Sequence, residues 1–482
     1  MVTKRGVAIA GARVAGGLVL VGAIAAVIVA AVLVPIPTIV ASAATVAVAP
    51  TPGAEYRVCP GPILSNSQAT AQPGQVTSAV GNATIASGLR EAAGESPAGA
   101  VTRKSLAAPD NSSASTGNSP QLLEAGGAPN GALLAASQSS TAGAPDLRGF
   151  AATACGEATA ESWLVGGATT VGRTSLIMLS NPAAVAANVR LTIYAENGVI
   201  DAPGASAILV PALSQKVVSL AGFAPNVSSP VVHVQATGGV VLASVQQGII
   251  RGLETGGVEL VGPSAAPSAT PVMTGVTIIG TSAIAERLPT DGNGDMQAAL
   301  RVFVPGTADA SMTVTATSEQ VGAESVSFTI TAAAGRVSES PLRDLPDGTY
   351  TLSVSSSVPV VTAARTSVIE AGALDFGWYQ SALAQSNDFL APIAAGPNPR
   401  LHLSNQGSSP VTVILTPTSG AKVTVQVPAQ GSVGVVVAGA TTYAAAATGA
   451  LVASVGYSGG GQLSAYSLTR PNPLEAPIVI YP

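Results

Sequence analysis

The chain has 482 residues and a net charge of −5, with 47% hydrophobic, 3% aromatic and 9% charged residues, and at about 150 residues per domain it predicts roughly three domains. Basic residues form no cluster beyond the first few positions, which excludes the electrostatic footprint of a nucleic-acid-binding protein. The mean hydropathy of +0.46 does not indicate a multi-span membrane protein, because only one segment stays apolar for about twenty residues.

That segment, Val14–Val34, is the first predicted element and carries no charge. As a helix it is long enough to cross about 30 Å of hydrocarbon. Lys4 and Arg5 lie in the basic stub 1–13, so the positive-inside rule places the stub in the cytoplasm and the rest of the chain outside. The alternative is a signal-peptide h-region with cleavage near Ala43, which would secrete the chain. We therefore predict a single-pass cell-membrane protein, or a secreted one, with its bulk extracytoplasmic.

Cys59 and Cys155 are the two cysteines of the chain. An even pair in an exported protein predicts a disulfide, and two free buried thiols are the alternative. Residues 35–64 are interpreted as a linker and a disulfide-tethered strand. Residues 65–148 are rich in Ser, Ala, Gly, Pro, Asn and Gln, and this composition predicts a disordered low-complexity insert, because it buries too little apolar surface to offset ordering entropy.

The rest of the chain repeats itself. LSNPAAVAANVRLTIY at 179–194 resembles LSNQGSSPVTVILTPT at 403–418, and VQATGGVVLASV at 234–245 resembles AAATGALVASV at 445–455. A weaker third copy combines the stretch from Leu300 to Thr317 with VSSSVPVVTAAR, which ends at Arg365. These repeats predict three modules, which we place at 149–265, 270–371 and 372–482.

Alternation of side chains predicts strands in each module. Val189, Leu191 and Ile193 fall on one face of a strand, and polar residues fall on the other. Turn signals such as Asn197-Gly198 recur at short spacing. Short strands, regular turns and about 100 residues per unit predict a mostly β protein of tandem immunoglobulin-like or fibronectin-like β-sandwich modules after one transmembrane helix.

Trp163 and Trp378 are the only tryptophans. We interpret both as core anchors, because large aromatic residues dominate cores that contain so few of them. The alternative is a pair of exposed platforms for stacking sugars.

One stretch resembles the start of a calcium loop. Asp291, Asn293 and Asp295 place oxygen ligands at positions one, three and five, as a hard cation requires. Met296 and Val302 stand where the EF-hand pattern has glycine and glutamate, so a polar turn between modules is the competing interpretation.

Other motifs predict no chemistry. Ser458 lies in a G-x-S-x-G stretch, but no histidine follows it as a nucleophile elbow would require. His233 and His402 occupy separate apolar strand contexts, and Asp344 and Asp347 fit a hairpin loop better than an acid–base pair. We predict no enzymatic activity and no cofactor.

Several stretches together carry a resemblance. They are the export segment, VCPGP around Cys59, the start at Cys155-Gly156, ESWLVGGAT before LIMLSNP, and the repeated sandwich pattern. The chain resembles an uncharacterised domain-of-unknown-function family of exported, single-pass, β-rich envelope proteins in high-GC Gram-positive bacteria. The resemblance implies a fold and a location but no activity.

The expected function is a non-catalytic, membrane-tethered envelope protein, acting as a scaffold or interaction module. Its expected partners are the membrane, through the N-terminal helix, and an unknown envelope protein or cell-wall glycan, with no nucleic acid. The alternative function is that of a cell-wall glycan-binding protein, which would need exposed aromatic residues.

Overall fold

The computed structural model describes residues 46–48, 55–65, 77–90, 100–114, 118–125, 133–343, 345–385, 388–469 and 478–480. The predicted helix Val14–Val34, the site near Ala43 and Asp344 lie outside these residues. No helix in the described ranges has the length and hydropathy needed to cross a bilayer.

The chain divides into a small unit and a large one. In the small unit the described residues form two antiparallel strands, β1 (Val46–Val48) and β35 (Ile478–Ile480). All other described residues belong to the large unit, which contains the repeated modules.

Module 1 shows the repeated unit, a sandwich whose strands we letter A to H in chain order. One sheet has the order A-F-C-D and the other has the order E-B-G-H, with position D divided into two short strands. The core lies between the sheets and includes Val189, Leu191 and Ile193, as predicted. A 3₁₀ turn, Leu220–Gly222, follows strand E. The strands are β10 (Glu161–Val165, A), β11 (Arg173–Asn181, B), β12 (Ala187–Ala195, C), β13 (Gly198–Ile200) and β14 (Ile208–Val210) (both D), β15 (Ser214–Ser219, E), β16 (Val231–Thr237, F), β17 (Leu242–Arg251, G) and β18 (Glu254–Val261, H).

Modules 2 and 3 repeat the same two strand orders, each around its own core. Module 2 also contains helix α1 (Thr281–Arg287) and the 3₁₀ turn Gly294–Met296, both between strands A and B. The strands of module 2, A to H, are β19 (Val272–Ile278), β20 (Ala299–Phe303), β21 (Ala310–Ser318), β22 (Val326–Ala332), β23 (Val337–Pro341), β24 (Gly348–Ser356), β25 (Val361–Glu370) and β26 (Ala373–Gln380). Those of module 3 are β27 (Asp388–Ile393), β28 (Arg400–Ser404), β29 (Val411–Pro417), β30 (Val423–Val427), β31 (Ser432–Val436), β32 (Thr441–Ala447), β33 (Val452–Gly459) and β34 (Gln462–Ser467).

A further module precedes these three, and we call it the N-terminal module. Its described strands form two sheets whose orders match A-F-C and B-G-H, and its small core contains Leu123 and Leu134. The predicted disulfide between Cys59 and Cys155 is confirmed, and it joins the end of strand A to the end of strand H. The strands are β2 (Tyr56–Cys59, A), β5 (Thr84–Arg90, B), β6 (Val101–Ser105, C), β7 (Gln121–Ala125, F), β8 (Leu133–Ala144, G) and β9 (Leu147–Cys155, H), beside the short pair β3 (Leu64–Ser65) and β4 (Ser78–Ala79).

Two sequence predictions need correction here. Strands β5 to β8 lie inside 65–148, so the prediction of disorder is wrong for those residues. Their composition is poor in large apolar residues, but the disulfide and the neighbouring modules complete the burial that the segment could not achieve alone. The module boundaries also move: β9 pairs with β8 and belongs to the N-terminal module rather than to module 1, and β26 pairs with β25 and belongs to module 2 rather than to module 3.

The mostly β architecture is confirmed, with a strand order of its own. Strands B and E pair, and so do C and F, as in an immunoglobulin domain. Strand A, however, lies beside F, and G lies beside B. This arrangement leaves strand H at the edge of the second sheet, next to G.

The repeated Leu-Ser-Asn motif has one structural role in two modules. Asn181 Nδ2 donates to the carbonyl oxygens of Val185 at 2.8 Å, Val210 at 3.1 Å and Pro211 at 3.1 Å. Its Oδ1 accepts a hydrogen bond from the Ala183 amide at 2.9 Å. The buried side chain thus closes the B–C turn onto the end of strand D.

In module 3, Asn405 makes the equivalent contacts. Its Nδ2 donates to Ser409 O at 2.8 Å and Pro428 O at 3.0 Å, and its Oδ1 accepts from Gly407 N at 2.9 Å. In module 2 the corresponding turn, between β20 and β21, contains Pro305 and Gly306.

We expect Asn181→Ala to lower the free energy of unfolding of the full chain by about 2–3 kcal/mol, because it leaves buried carbonyl groups without a donor. Chemical denaturation, with hydrogen exchange of β11 and β14, measures the loss. Asn188→Ala is the control, since Asn188 is exposed on strand β12. Equal stability of the two variants would contradict the role assigned to Asn181.

Candidate functional site

The four H strands pack together at the centre of the large unit. Each one contacts two neighbours in the cyclic order β9, β18, β26, β34, although the four belong to four different sheets. We call this four-strand assembly the hub. Every module contributes its H edge to the hub, so the hub is where the modules are held together.

Asp375, on strand β26, joins the four hub strands. Its carboxylate accepts hydrogen bonds from the backbone amides of Phe150 at 3.1 Å, Val258 at 3.3 Å, Leu463 at 3.2 Å and its own neighbour Phe376 at 3.0 Å. The side chain is fully buried, and burial raises the pKa of Asp375 well above its ordinary value while the amide donors oppose that shift. One acid thus satisfies amides of β9, β18, β26 and β34.

Glu259, on strand β18, is the second buried acid of the hub. Its Oε1 accepts hydrogen bonds from Ser464 Oγ at 2.7 Å and Leu260 N at 3.0 Å, whereas Oε2 has no hydrogen-bond partner among the described residues. Burial raises the pKa of Glu259 well above its ordinary value, and the nearby charge of Asp375 raises it further. Ser464 Oγ also accepts from Ala152 N at 2.8 Å, which extends the network to β9.

Two glycines permit this close approach. A Cβ atom on Gly149 would lie 2.8 Å from Val258 N, and one on Gly257 would overlap the Asp375 carboxylate. Gly257 also has a φ of +108°, which disfavours any side chain. The hub strands therefore approach within a distance that only glycine allows.

A second buried polar network joins modules 1 and 2. Arg301 is fully buried and donates to Glu339 at 2.9 Å and to the carbonyls of Gly167 at 3.0 Å and Pro230 at 2.9 Å. Its guanidinium lies 4.7 Å from the ring centre of Trp378. Burial alone would raise the pKa of Glu339. The positive charges of Arg301 and Arg365 outweigh this effect and lower the pKa to about 2. The charges in this interface are thus paired rather than isolated, as burial requires.

A cavity of about 510 Å³ lies at the carboxyl-terminal end of the hub, and we call it the axial cavity. Every hub strand contributes to its wall, through Thr153, Val261, Gln380 and Ala465, together with the Pro263–Pro267 linker between modules 1 and 2. These four wall residues lie at or near the carboxyl-terminal ends of their strands. The volume of the axial cavity is within the range of small-molecule binding sites.

Both tryptophans line the axial cavity from within the core. Trp163 is 6% exposed and Trp378 is 1% exposed, which confirms the prediction of core residues. Trp163 stacks on His233 with ring centres 4.0 Å apart, and Trp378 donates from Nε1 to Gln247 Oε1 at 2.8 Å. Trp378 belongs to module 2 rather than to module 3.

The candidate calcium loop contacts arginines instead. The Asp295 carboxylate accepts hydrogen bonds from Arg173 at 2.9 Å and Arg251 at 2.8 Å, and Asn293 donates to the Arg287 carbonyl. Two guanidinium groups therefore occupy the side of Asp295 that a cation would need, while Asp291 is exposed. Within the described residues, no group of three or more His, Cys, Asp or Glu side chains is arranged to hold a metal.

The other sequence candidates lie apart from one another. His402 is buried and hydrogen-bonded to Glu319 at 2.8 Å, and His233 pairs with Glu161 at 2.7 Å on module 1. Ser458 lies on strand β33 of the β33–β34 hairpin, opposite Leu463. Asp347 accepts hydrogen bonds from the amides of Gly280 and Thr281 at the start of helix α1.

Comparison with protein families gives one match. A model described as a family of unknown function, DUF5719, matches residues 110–438, more than half of the chain. The chain belongs to this family. The DUF5719 match starts within the N-terminal module, spans modules 1 and 2 and ends just after strand β31 of module 3. Searches of the curated proteins and of the solved structures returned no match.

Sequence reasoning missed Asp375, Glu259 and Gln380. Each is an isolated polar residue in an apolar strand, DFGWYQ or GGVELV. A carboxylate within such a run is a signal, because a strand buried on both faces rarely contains an unpaired acid. The partners of Asp375 lie far away along the chain, so the signal could have identified the residue but not its role.

We expect Glu259→Gln to weaken the pH dependence of stability. Because the pKa of Glu259 is raised above its ordinary 4.5, the folded chain keeps this proton at pH values where the unfolded chain has lost it. Unfolding then releases a proton, and the free energy of unfolding falls as pH rises above about 4.5, by up to about 1.4 kcal/mol per pH unit. Glutamine has no such proton, so the variant loses less stability than the wild type between pH 5 and pH 8.

Thermal melting of both proteins at these two pH values measures the difference. Glu324→Gln is the control, because Glu324 is exposed, and it should melt like the wild type. The same loss of stability in the wild type and in Glu259→Gln would contradict the prediction. Because the pKa of Asp375 is also raised, all three proteins should still lose some stability as the pH rises.

Proposed function

We propose that the chain is a non-catalytic, membrane-tethered cell-envelope protein whose four modules form one extracytoplasmic scaffold. The observation that carries the proposal is the hub, because Asp375 and the Ser464 network join strands from all four modules. A scaffold needs fixed spacing between its contact surfaces, and buried hydrogen bonds between modules provide it. The predicted apolar segment Val14–Val34 would supply the tether, or a secretion signal cleaved near Ala43.

Two further features support this location and role. A disulfide is typical of an oxidising compartment outside the cytoplasm. The buried acids Glu259 and Asp375 contact backbone amides and Ser464 rather than an open cleft, which favours a structural role over an acid–base one. We also propose that the modules are immunoglobulin-like. We propose further that proteins of this family lie in the envelope of high-GC Gram-positive bacteria.

The glycan-binding alternative has less support. A sugar-stacking surface needs exposed aromatic rings, and Trp163 and Trp378 are both buried. We therefore favour a protein partner, with the cell-wall glycan as the alternative outcome of the test.

The outer edges of the modules are the contact surfaces we propose. Strand β22 pairs only with β21, and β30 pairs only with β29, among the described strands. Thr329 on β22 and Val423 on β30 are exposed. An unpaired edge presents backbone groups on which another chain adds a strand.

A photo-crosslinking amino acid placed at Thr329 or Val423, in cells, tests the proposal. We expect both positions to capture the same envelope protein, identified by mass spectrometry. Leu253 is the matched control, since it is fully exposed at the tip of the β17–β18 hairpin and not on an outer edge. Capture of glycan fragments in place of protein, or equal capture at all three positions, would contradict a scaffold that acts through its outer edges.

A further inference from the structure

The axial cavity has the construction of a ligand site. Its walls come from all four modules, and they include apolar side chains such as Trp163, Trp378, Val261 and Leu468. A volume of about 510 Å³ is comparable with the pockets that hold small organic molecules.

Two buried polar atoms in the lining lack partners. Gln380 is 4% exposed and donates from Nε2 to the Val165 carbonyl at 3.2 Å, but its Oε1 accepts no hydrogen bond from any residue in the described ranges. Ser244 is 2% exposed, and its hydroxyl has no partner within those ranges either. Both residues line the cavity, but the two atoms themselves are buried in its wall, so a ligand reaches them only when the side chain rotates. A buried amide oxygen without a donor is costly, so a ligand that supplies an O–H or N–H group would be stabilised there.

The charges of the lining restrict the ligand further. Glu157 and Glu161 line the cavity, and each is paired with a basic side chain that lies outside the lining, Arg57 at 2.9 Å and His233 at 2.7 Å. Among the described residues, the lining itself contains no lysine, arginine or histidine. A carboxylate, sulfate or phosphate ligand would therefore find no unpaired cation among the described lining residues. The lining therefore favours an uncharged ligand.

We propose that the axial cavity binds an uncharged amphiphile, an apolar chain with a hydroxyl head group that donates to Gln380 Oε1. The Ser244 hydroxyl is the second polar contact, and the two tryptophans enclose the apolar chain. This inference goes beyond the scaffold function and does not depend on it, because it rests on the cavity alone.

The tryptophans make binding directly observable. Trp163 and Trp378 are the only tryptophans of the chain, and both line the cavity, so a brominated ligand in the cavity quenches their fluorescence by contact. The probe is 11-bromoundecan-1-ol, added to the full chain held in an amphipol free of tryptophan. We expect saturable quenching by this alcohol and at least tenfold weaker quenching by 11-bromoundecanoate, which has the same chain and a negative charge.

Three variants locate the site. Ala154→Phe and Ala265→Phe each fill the cavity from a different wall, so one remains informative if the other does not fold, and each should abolish saturable quenching. Ala333→Phe is the matched control, because Ala333 is exposed on module 2 away from the cavity, and it should bind like the wild type. Gln380→Met keeps the shape of the side chain but removes the acceptor, and it should weaken binding of the alcohol roughly two- to tenfold.

Several results would overturn the proposal. Non-saturable quenching that is the same in all variants would mean that the alcohol only partitions into the amphipol. Equal binding of the alcohol and the carboxylate would remove the charge selectivity. An unchanged affinity in Gln380→Met would remove the assigned hydrogen bond. Loss of edge crosslinking at Thr329 and Val423 would leave this inference intact, so the two proposals fail separately.

Discussion

Four backbone amides converge on the carboxylate of Asp375, and the arrangement of the large unit depends on this contact. Phe150, Val258 and Leu463 donate from three different modules, and each amide lies on a strand that, among the described strands, is at the edge of its sheet. Exposed strand edges are usually covered or charged to prevent association. Here the edges of all four modules face one another, and an acid accepts the hydrogen bonds that no neighbouring strand accepts.

The unusual composition is consistent with this construction. Gly149 and Gly257 allow β9 and β18 to approach the carboxylate, and small residues such as Ala152 and Ser464 line the same seam. Cores of this kind bury little apolar surface per module. Contacts between modules therefore add stabilisation that an isolated sandwich module would lack. The N-terminal module has a small core and a disulfide, and we expect it to depend on these contacts most. The axial cavity lies beside the carboxyl-terminal ends of the same hub strands.

Local pattern was sufficient for part of this structure and insufficient for the rest. Alternation in the stretch around Val189 and Leu191, and the repeated Leu-Ser-Asn, depend on neighbours within one module, so the sequence predicted them correctly. The N-terminal module was missed because strands such as Thr84–Arg90 contain few large apolar residues, and their burial comes from distant parts of the chain. The hub and the cavity were missed because they arise where strands from four modules meet, and no local periodicity describes such a meeting.

Hydrogen exchange of Asp375→Asn in the full chain tests most directly whether the hub joins the modules. Asparagine keeps the size of the side chain but places an NH₂ group against amide donors, so at least two of the hydrogen bonds are replaced by repulsion. We expect protection to fall together in β9, β18, β26 and β34, with no such loss in Asp291→Asn, where the side chain is exposed. Loss confined to β26, with β9, β18 and β34 unchanged, would show that the modules are held together by something other than this carboxylate.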